Sequence, residues 1–353
     1  MRQKEHSREE SIRMEMLITG GNGFVGRNLV LALQERGDSV RVLALPTEDT
    51  GWLAKRHVKI FHGDVRNPQD LTAPMEGVDG VFHLAAMTGV WRPIEDYYAV
   101  NVTGTENVCR AALLAGVQRI VHMSSTMVYN TAIGRPVRED DPLEPLDECY
   151  CKTKAEGDKL VQRMIAEAHL PAVIIRSAII FGPGDRPNFG RMADRARANK
   201  SVIVGSGKNA IPLVYITDLV QGLLLAMDSE RAAGQAYNIS NDQPLCQGEF
   251  LACIAQEIGA APPRKHVPYY PLYAAAYMCE RISRVSGNRI PPFITRHGVK
   301  LYGADSRLSI DKARRELGYT PQVPLREGIR LAAAWYKNQE SWTPDAVPTG
   351  VLH

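Results

Sequence analysis

The chain has 353 residues, of which 44% are apolar and 23% charged, with a formal net charge of +3 at pH 7. That balance is ordinary for a globular protein and gives no electrostatic case for nucleic acid as a partner. The length predicts two lobes, or one large domain with a cap. Six cysteines stand at 109, 149, 151, 246, 253 and 279, with no CxxC pair and no zinc-type spacing to histidine. Free thiols, a reducing cytoplasm and no metal site are the expectation.

Residues 1–14 are polar and charged and read as a loose extension rather than a secretory signal. Met14 to Thr19 reads as a first strand. Gly20, Asn22, Gly23, Phe24, Val25 and Gly26 follow at once, as a glycine turn opening a helix from Phe24 to Arg36. Glycines let the backbone turn tightly and approach a ligand closely, and the new helix end offers unpaired N–H groups to an anion such as a pyrophosphate. A purely structural turn is the competing reading of the same glycines. Further strands are expected at Ser39–Leu45, Val58–His62, Val78–Ala86, Arg119–Ser124 and Ala172–Ile180. Helices are expected near Tyr97–Ala115 and Cys149–Ala168. Strands alternating with helices predict an α/β, Rossmann-type, doubly wound parallel sheet with a smaller mixed C-terminal lobe for substrate. The expected division is 1–14 extension, 15–180 dinucleotide domain, 181–340 substrate lobe and 341–353 tail, with segments such as 213–227 returning to the first domain. The apolar run Tyr269–Cys279 is too short to span a bilayer and reads as a helix packed on a pocket or on the core, with peripheral lipid contact as a lesser reading.

Two further motifs carry chemistry. Tyr150 and Lys154 are four residues apart and share one face of a helix. A neighbouring ammonium favours the phenolate, so the pair can move a proton to or from an alcohol/carbonyl couple. Taken alone, this spacing also fits an ordinary amphipathic helix. Ser124, Ser125 and Thr126 end a predicted strand, where parallel sheets present ligands; they also suit a plain strand-end role.

Together, the glycine turn, the hydroxyl-bearing strand end and Tyr-x-x-x-Lys resemble the extended short-chain dehydrogenase/reductase family, with its epimerase/dehydratase and 3β-hydroxysteroid dehydrogenase-like branches. Gly63-Asp64-Val65, Phe82-His83-Leu84-Ala85-Ala86 and Arg176 to Asp185 extend the likeness. The resemblance implies roles for individual residues. Tyr150 is the acid/base, Lys154 holds the nicotinamide ribose, and Ser125 orients the substrate oxygen, with Ser124 and Thr126 as register alternatives. Asn101 is the helix asparagine near the site. Asp64 and Val65 meet adenine; Leu84, Ala85 and Ala86 pass the ribose and phosphates; Ser124 and Ile179 line the cofactor. The resemblance also implies a homodimer through the helices near 97–115 and 149–168.

Leu45-Pro46 after the second strand carry neither an acid nor an arginine, so NAD is expected while NADP stays open. The apolar Ala210-Ile211-Pro212-Leu213 stretch and the aromatic 269–277 segment point to a lipophilic alcohol or ketone, sterol-like, terpenoid or long-chain acyl. A nucleotide-sugar 4-epimerase or dehydratase with tightly held NAD is the alternative, and a non-catalytic dinucleotide-binding regulator is a third reading.

Overall fold

β1 (Glu15–Thr19), β2 (Ser39–Ala44), β3 (Lys59–His62), β4 (Gly80–His83), β5 (Arg119–Ser125) and β6 (Ala172–Ser177) form a parallel sheet, joined at its edge by a seventh strand, Ala236–Ile239. The order is Ala236–Ile239, β6, β5, β4, β1, β2, β3. The computed structural model describes residues 13–338 except 90, 132, 244 and 287–290. Residues 1–12 of the expected extension and the expected tail at 341–353 lie outside the described residues. The seventh strand comes from beyond residue 181, where the sequence reading starts the substrate lobe.

Side chains alternate across the sheet with period two. Met16, Ile18, Phe82, Val121 and Val173 join one core with Leu29 and Leu33 of α1 (Phe24–Arg36). Leu17, Val81, Ile120 and Ile174 join the other, with Val108 of α2 (Thr105–Leu114) and Val161 of α3 (Cys149–Ala168). Both faces are covered, which is why these strands read as continuous apolar runs. On the first face α4 (Ile216–Asp228) brings Leu219 and Leu223 back onto the sheet.

Three expected elements end differently. Val78–Ala86 stops pairing after His83, because Leu84 donates its last ladder bond to the Thr19 carbonyl and Ala85 N–H turns to the Thr19 hydroxyl. Ala172–Ile180 breaks at Ala178, whose N–H bonds Ile239; Ile179–Phe181 then pairs with Leu213–Tyr215 in a separate small sheet. The helix expected from Tyr97 to Ala115 is interrupted by a π-helical turn, Ala99–Gly104, that carries Asn101 inward. Such wide turns inside helices often sit at functional sites.

The later segment 269–285 forms α5 (Tyr269–Val285), which packs on α6 (Arg296–Gly303). Val204, Ala276 and Val299 are its small core, with Tyr269, Leu272, Tyr273 and Ile294 half-buried against them. Tyr270 and Tyr277 face outward. The aromatic segment therefore divides between lobe core and surface.

Candidate active site

The strand order reverses between β1 and β4, and parallel sheets bind ligands in the crevice outside that point. The glycine turn after β1 lies there. Gly20 has φ +74°, and a Cβ on it would stand 2.9 Å from the Ala85 backbone nitrogen. A Cβ on Gly26 would stand 2.4 Å from the Gly20 carbonyl. Both positions admit only glycine. α1 begins at Gly23 with no side-chain cap and no acid in its first turn, so its N–H groups and positive dipole end are free for a pyrophosphate. Asn22, expected at this turn, instead ties it to neighbours: its amide donates to the Asp49 carbonyl at 2.9 Å and its Oδ1 accepts Arg27 at 2.9 Å. Phe24 and Val25 pack half-buried against the core.

At the next strand end, Val65 is buried, and its carbonyl accepts Asn107 at 3.0 Å. The Arg66 guanidinium bonds the Asp64 carboxylate, which holds that carboxyl below its ordinary value. Leu84, Ala85 and Ala86 follow β4 at the same edge. Ile179 is half-buried and lies outside the main sheet, paired to Leu213.

Proton-handling groups converge at the end of β5. The Ser125 and Thr88 hydroxyls stand close enough to the Tyr150 side chain to favour its phenolate. Ser125 Oγ also accepts Met127 N–H at 3.2 Å, which fixes its rotamer. Glu148 caps α3 by accepting the N–H groups of Tyr150 and Cys151 at 3.1 and 3.2 Å, so Tyr150 sits in the first turn. One turn on, Lys154 is buried and donates to the Met123 carbonyl of β5 at 2.6 Å. Burial pushes its pKa down to about 8, against support from Asp158.

The sequence reading has Lys154 lowering the Tyr150 pKa. In the structure burial pushes Tyr150 up to about 12, with Cys151 and Glu148 adding to the rise and the Ser125 and Thr88 hydrogen bonds opposing it. The Lys154 ammonium is engaged by a strand carbonyl, and without cofactor the phenol stays protonated at neutral pH.

Asn101 is held away from any ligand role of its own. Its Oδ1 accepts Met87 N–H at 2.8 Å, and its Nδ2 donates to the Met87 carbonyl at 3.1 Å and to Thr153 Oγ1 at 3.0 Å. It pins the loop carrying Thr88 to the helix carrying Tyr150. Ser124 is likewise engaged: its hydroxyl donates to Asp158 at 2.6 Å. Of the three hydroxyls at this strand end, Ser125 is the one that acts on the Tyr150 phenol.

Two buried networks under the site escaped the sequence reading. Thr19 Oγ1, His83 Nδ1, His83 Nε2 and Thr105 Oγ1 are linked at 2.7 and 3.0 Å, and Thr105 donates on to the Asn101 carbonyl at 2.8 Å. Since Thr105 uses its proton there, His83 donates from Nε2 and accepts from Thr19. Burial, with Lys154 nearby, pushes its pKa down to about 3, so it is a neutral connector. Asp158 takes a two-pronged bond from Arg176 at 2.9 Å each, plus Ser124 and Gln162. Burial opposes its charge, but these donors hold its carboxyl below the ordinary value. The available signal was Asp158 itself, four residues after Lys154 on one helix face. Beside the site, α6 presents His297 edge-on to the Tyr150 ring at 5.7 Å, with Nδ1 3.3 Å from Cys151 Sγ. Glu148, Cys151 and His297 offer ligand atoms all within 4.8 Å of one another, the one such metal-ligating group among the described residues. Burial keeps the thiol well above its ordinary pKa, and Glu148 already caps α3, so these residues read as a hydrogen-bonded cluster.

A glycine turn after β1 that suits a pyrophosphate, with Ser125, Tyr150 and Lys154 gathered at the end of β5, fits a nicotinamide-dinucleotide-dependent enzyme. The model of the NAD dependent epimerase/dehydratase family matches residues 16–240. The chain is 34% identical over 332 residues to 2-alkyl-3-oxoalkanoate reductase of Stenotrophomonas maltophilia, covering 91% of this chain and 99% of that one. It is 32% identical to the decarboxylating sterol-4-alpha-carboxylate 3-dehydrogenase of Mus musculus, covering 88% of each. Its fold matches DesIV, the dTDP-glucose 4,6-dehydratase of Streptomyces venezuelae with NAD and TYD bound, at a TM-score of 0.76 and 27% identity, covering 94% of this chain and 99% of that one. The chain belongs to the NAD-dependent epimerase/dehydratase family, as an NAD(P)-dependent oxidoreductase of the extended short-chain type.

Proposed function

We propose that the protein interconverts a secondary alcohol and a ketone on a lipophilic carboxylic acid, with net exchange of hydride with free NAD(H). The observation that supports this reading is the Tyr150 hydroxyl with the Ser125 and Thr88 hydroxyls acting on it, one helical turn from a buried Lys154. A bound nicotinamide cofactor would supply the hydride to the carbonyl carbon, or accept it in the reverse direction. In the reducing direction Tyr150, protonated at neutral pH, donates to the carbonyl oxygen. Ser125 holds that oxygen against the phenol. Lys154 holds the cofactor ribose, and Asn101 keeps the Thr88 loop and α3 in register. The glycine turn and the first N–H groups of α1 take the pyrophosphate.

The names of two relatives support the acid: 2-alkyl-3-oxoalkanoate and sterol-4-alpha-carboxylate both place a carboxylate on the carbon next to the reacting centre. NAD is proposed over NADP, because Leu45 and Pro46 bring no charge and Arg27 is engaged by Asn22. A homodimer through the helices near 97–115 and 149–168, and a cytoplasmic location, complete the proposal. Among the described residues no helix is long and apolar enough to cross a membrane.

The test is a parallel incubation with NAD and a panel of 2-alkyl-3-hydroxy acids and sterols, or with UDP-sugars, following free NADH. Release of NADH with a lipophilic hydroxy acid is expected. Sugar inversion or dehydration without free NADH would transfer the protein to the internal-redox branch.

A further inference from the structure

α5 has two faces of opposite character. Its inner side, through Leu272, Tyr273 and Ala276, makes the small core with α6. Its outer side shows Tyr270 82% exposed, Met278 57%, Ile282 60% and Val285 85%. Tyr270, Ala274, Tyr277, Met278, Arg281, Ile282 and Val285 recur every three or four residues, so they form one stripe. Phe293, just before α6, is 95% exposed. Scattered surface apolar residues need no explanation, but a continuous stripe of large ones does.

The charges that α5 itself exposes have one sign, although the exposed Asp147 carboxylate lies near enough to feel Arg284. Arg281 and Arg284 are exposed, and Arg264 and Lys265 are exposed just ahead of the helix. The single acid of α5, Glu280, is buried, where its two oxygens accept Arg296 N–H and Nε at 2.7 and 2.8 Å. The outer surface therefore combines protruding aliphatic and aromatic side chains with cations and no carboxylate of its own helix. An amphipathic helix of this composition lies in the headgroup region of an anionic bilayer, apolar side chains in the acyl boundary and arginines at the phosphates.

We propose that the outer face of α5, with Phe293, docks the protein onto an anionic phospholipid surface. Long side chains this exposed, bordered by arginines and a lysine, suit the acyl boundary and phosphates of an anionic lipid surface. The docking does not depend on the substrate reading. It has a consequence for the site, since α6, held to α5 by the small core, carries His297 against the Tyr150 ring. A docked α5 places the cleft beside the membrane.

The full chain is to be sedimented with vesicles of phosphatidylcholine alone and of phosphatidylcholine with phosphatidylglycerol. The expected result is binding to the phosphatidylglycerol vesicles alone, weakened by salt and by the paired Arg281→Gln, Arg284→Gln variant. The paired Ile282→Asp, Val285→Asp variant loses at least tenfold in partitioning. Both positions are exposed, so this variant keeps the wild-type circular dichroism and its turnover of a water-soluble ketone. Absence of vesicle binding by the wild type overturns the proposal. So does undiminished binding by the aspartate variant. A dimer in velocity sedimentation that this variant dissociates also overturns it, since a second copy then covers the face.

Discussion

Around β4, β5 and α3, polar side chains point inward and find partners; along α5, a stripe of apolar side chains points outward and stays exposed. The first region holds His83, Asn101, Asp158 and Arg176 at 2% exposure or less, each hydrogen-bonded. Buried polar groups are costly unless satisfied, and satisfied networks fix one geometry. That rigidity is what a proton donor held against a cofactor needs. The second region has a thin core and a face left to solvent, which suits a surface that meets variable, deformable ligands. Chemistry sits on the rigid side of the cleft, and access on the softer one.

The sharpest way to break this contrast is at the buried ion pair. Asp158→Ala leaves the Arg176 guanidinium unpaired in the core and should cost about 3–5 kcal/mol of stability in chemical denaturation. An Asp158→Leu, Arg176→Met double variant should recover most of that loss; a double variant as unstable as the single one would show that packing, not charge, is at stake. Next is Gly26→Ala. The added Cβ meets the Gly20 carbonyl, and a strain of about 1–3 kcal/mol should lower NAD affinity by about tenfold or more in fluorescence titration. Unchanged affinity there would detach the turn from the pyrophosphate.

His122 is the exception within the rigid region. It is 1% exposed, lies 5.4 Å from His83 ring to ring, and has no hydrogen-bond partner on either nitrogen among the described residues. Burial keeps it neutral. His122→Leu removes two unpaired polar atoms and should stabilise by about 1 kcal/mol in thermal unfolding. A fall in Tm would mean that those nitrogens are satisfied in solution.

The smallest effect is a pH dependence. Lys154, pushed down to about 8, is charged below that value and loses its charge as pH rises through it. Cofactor affinity should therefore weaken between about pH 7 and about pH 9, because the ribose loses an ammonium donor. Stability moves the other way. The folded state sheds the Lys154 proton more readily than the unfolded chain does, so folding gains as pH rises through the window between the folded value and the ordinary lysine value. An affinity flat across this range would remove Lys154 from the ribose.

The sequence carried the sheet and the site unevenly. α1 and α3 fall on the expected bounds, because a glycine punctuates one and an apolar stripe with Tyr150 and Lys154 marks the other. The seventh strand was hidden, since Ala236–Ile239 reads like any short apolar run and its partner β6 lies sixty-odd residues earlier, a pairing that depends on distant segments meeting. Ser125, Tyr150 and Lys154 were legible as a spaced motif. His83, Asp158 and Arg176 were not, because nothing local distinguishes a buried, partnered polar side chain from a solvated one. The direction of the Tyr150 shift also lay beyond the motif: it depends on burial of the phenol, with Cys151 and Glu148 adding to the rise.

The central claim is that the Tyr150 phenol delivers the proton. Its most direct test is a single-turnover reduction of a 3-oxo acid by preformed NADH complexes of the wild type and of Tyr150→Phe. The account predicts nearly equal NADH affinity and a hydride-transfer rate lower by roughly 10²–10⁴ in the variant. Equal rates in the two proteins would contradict it.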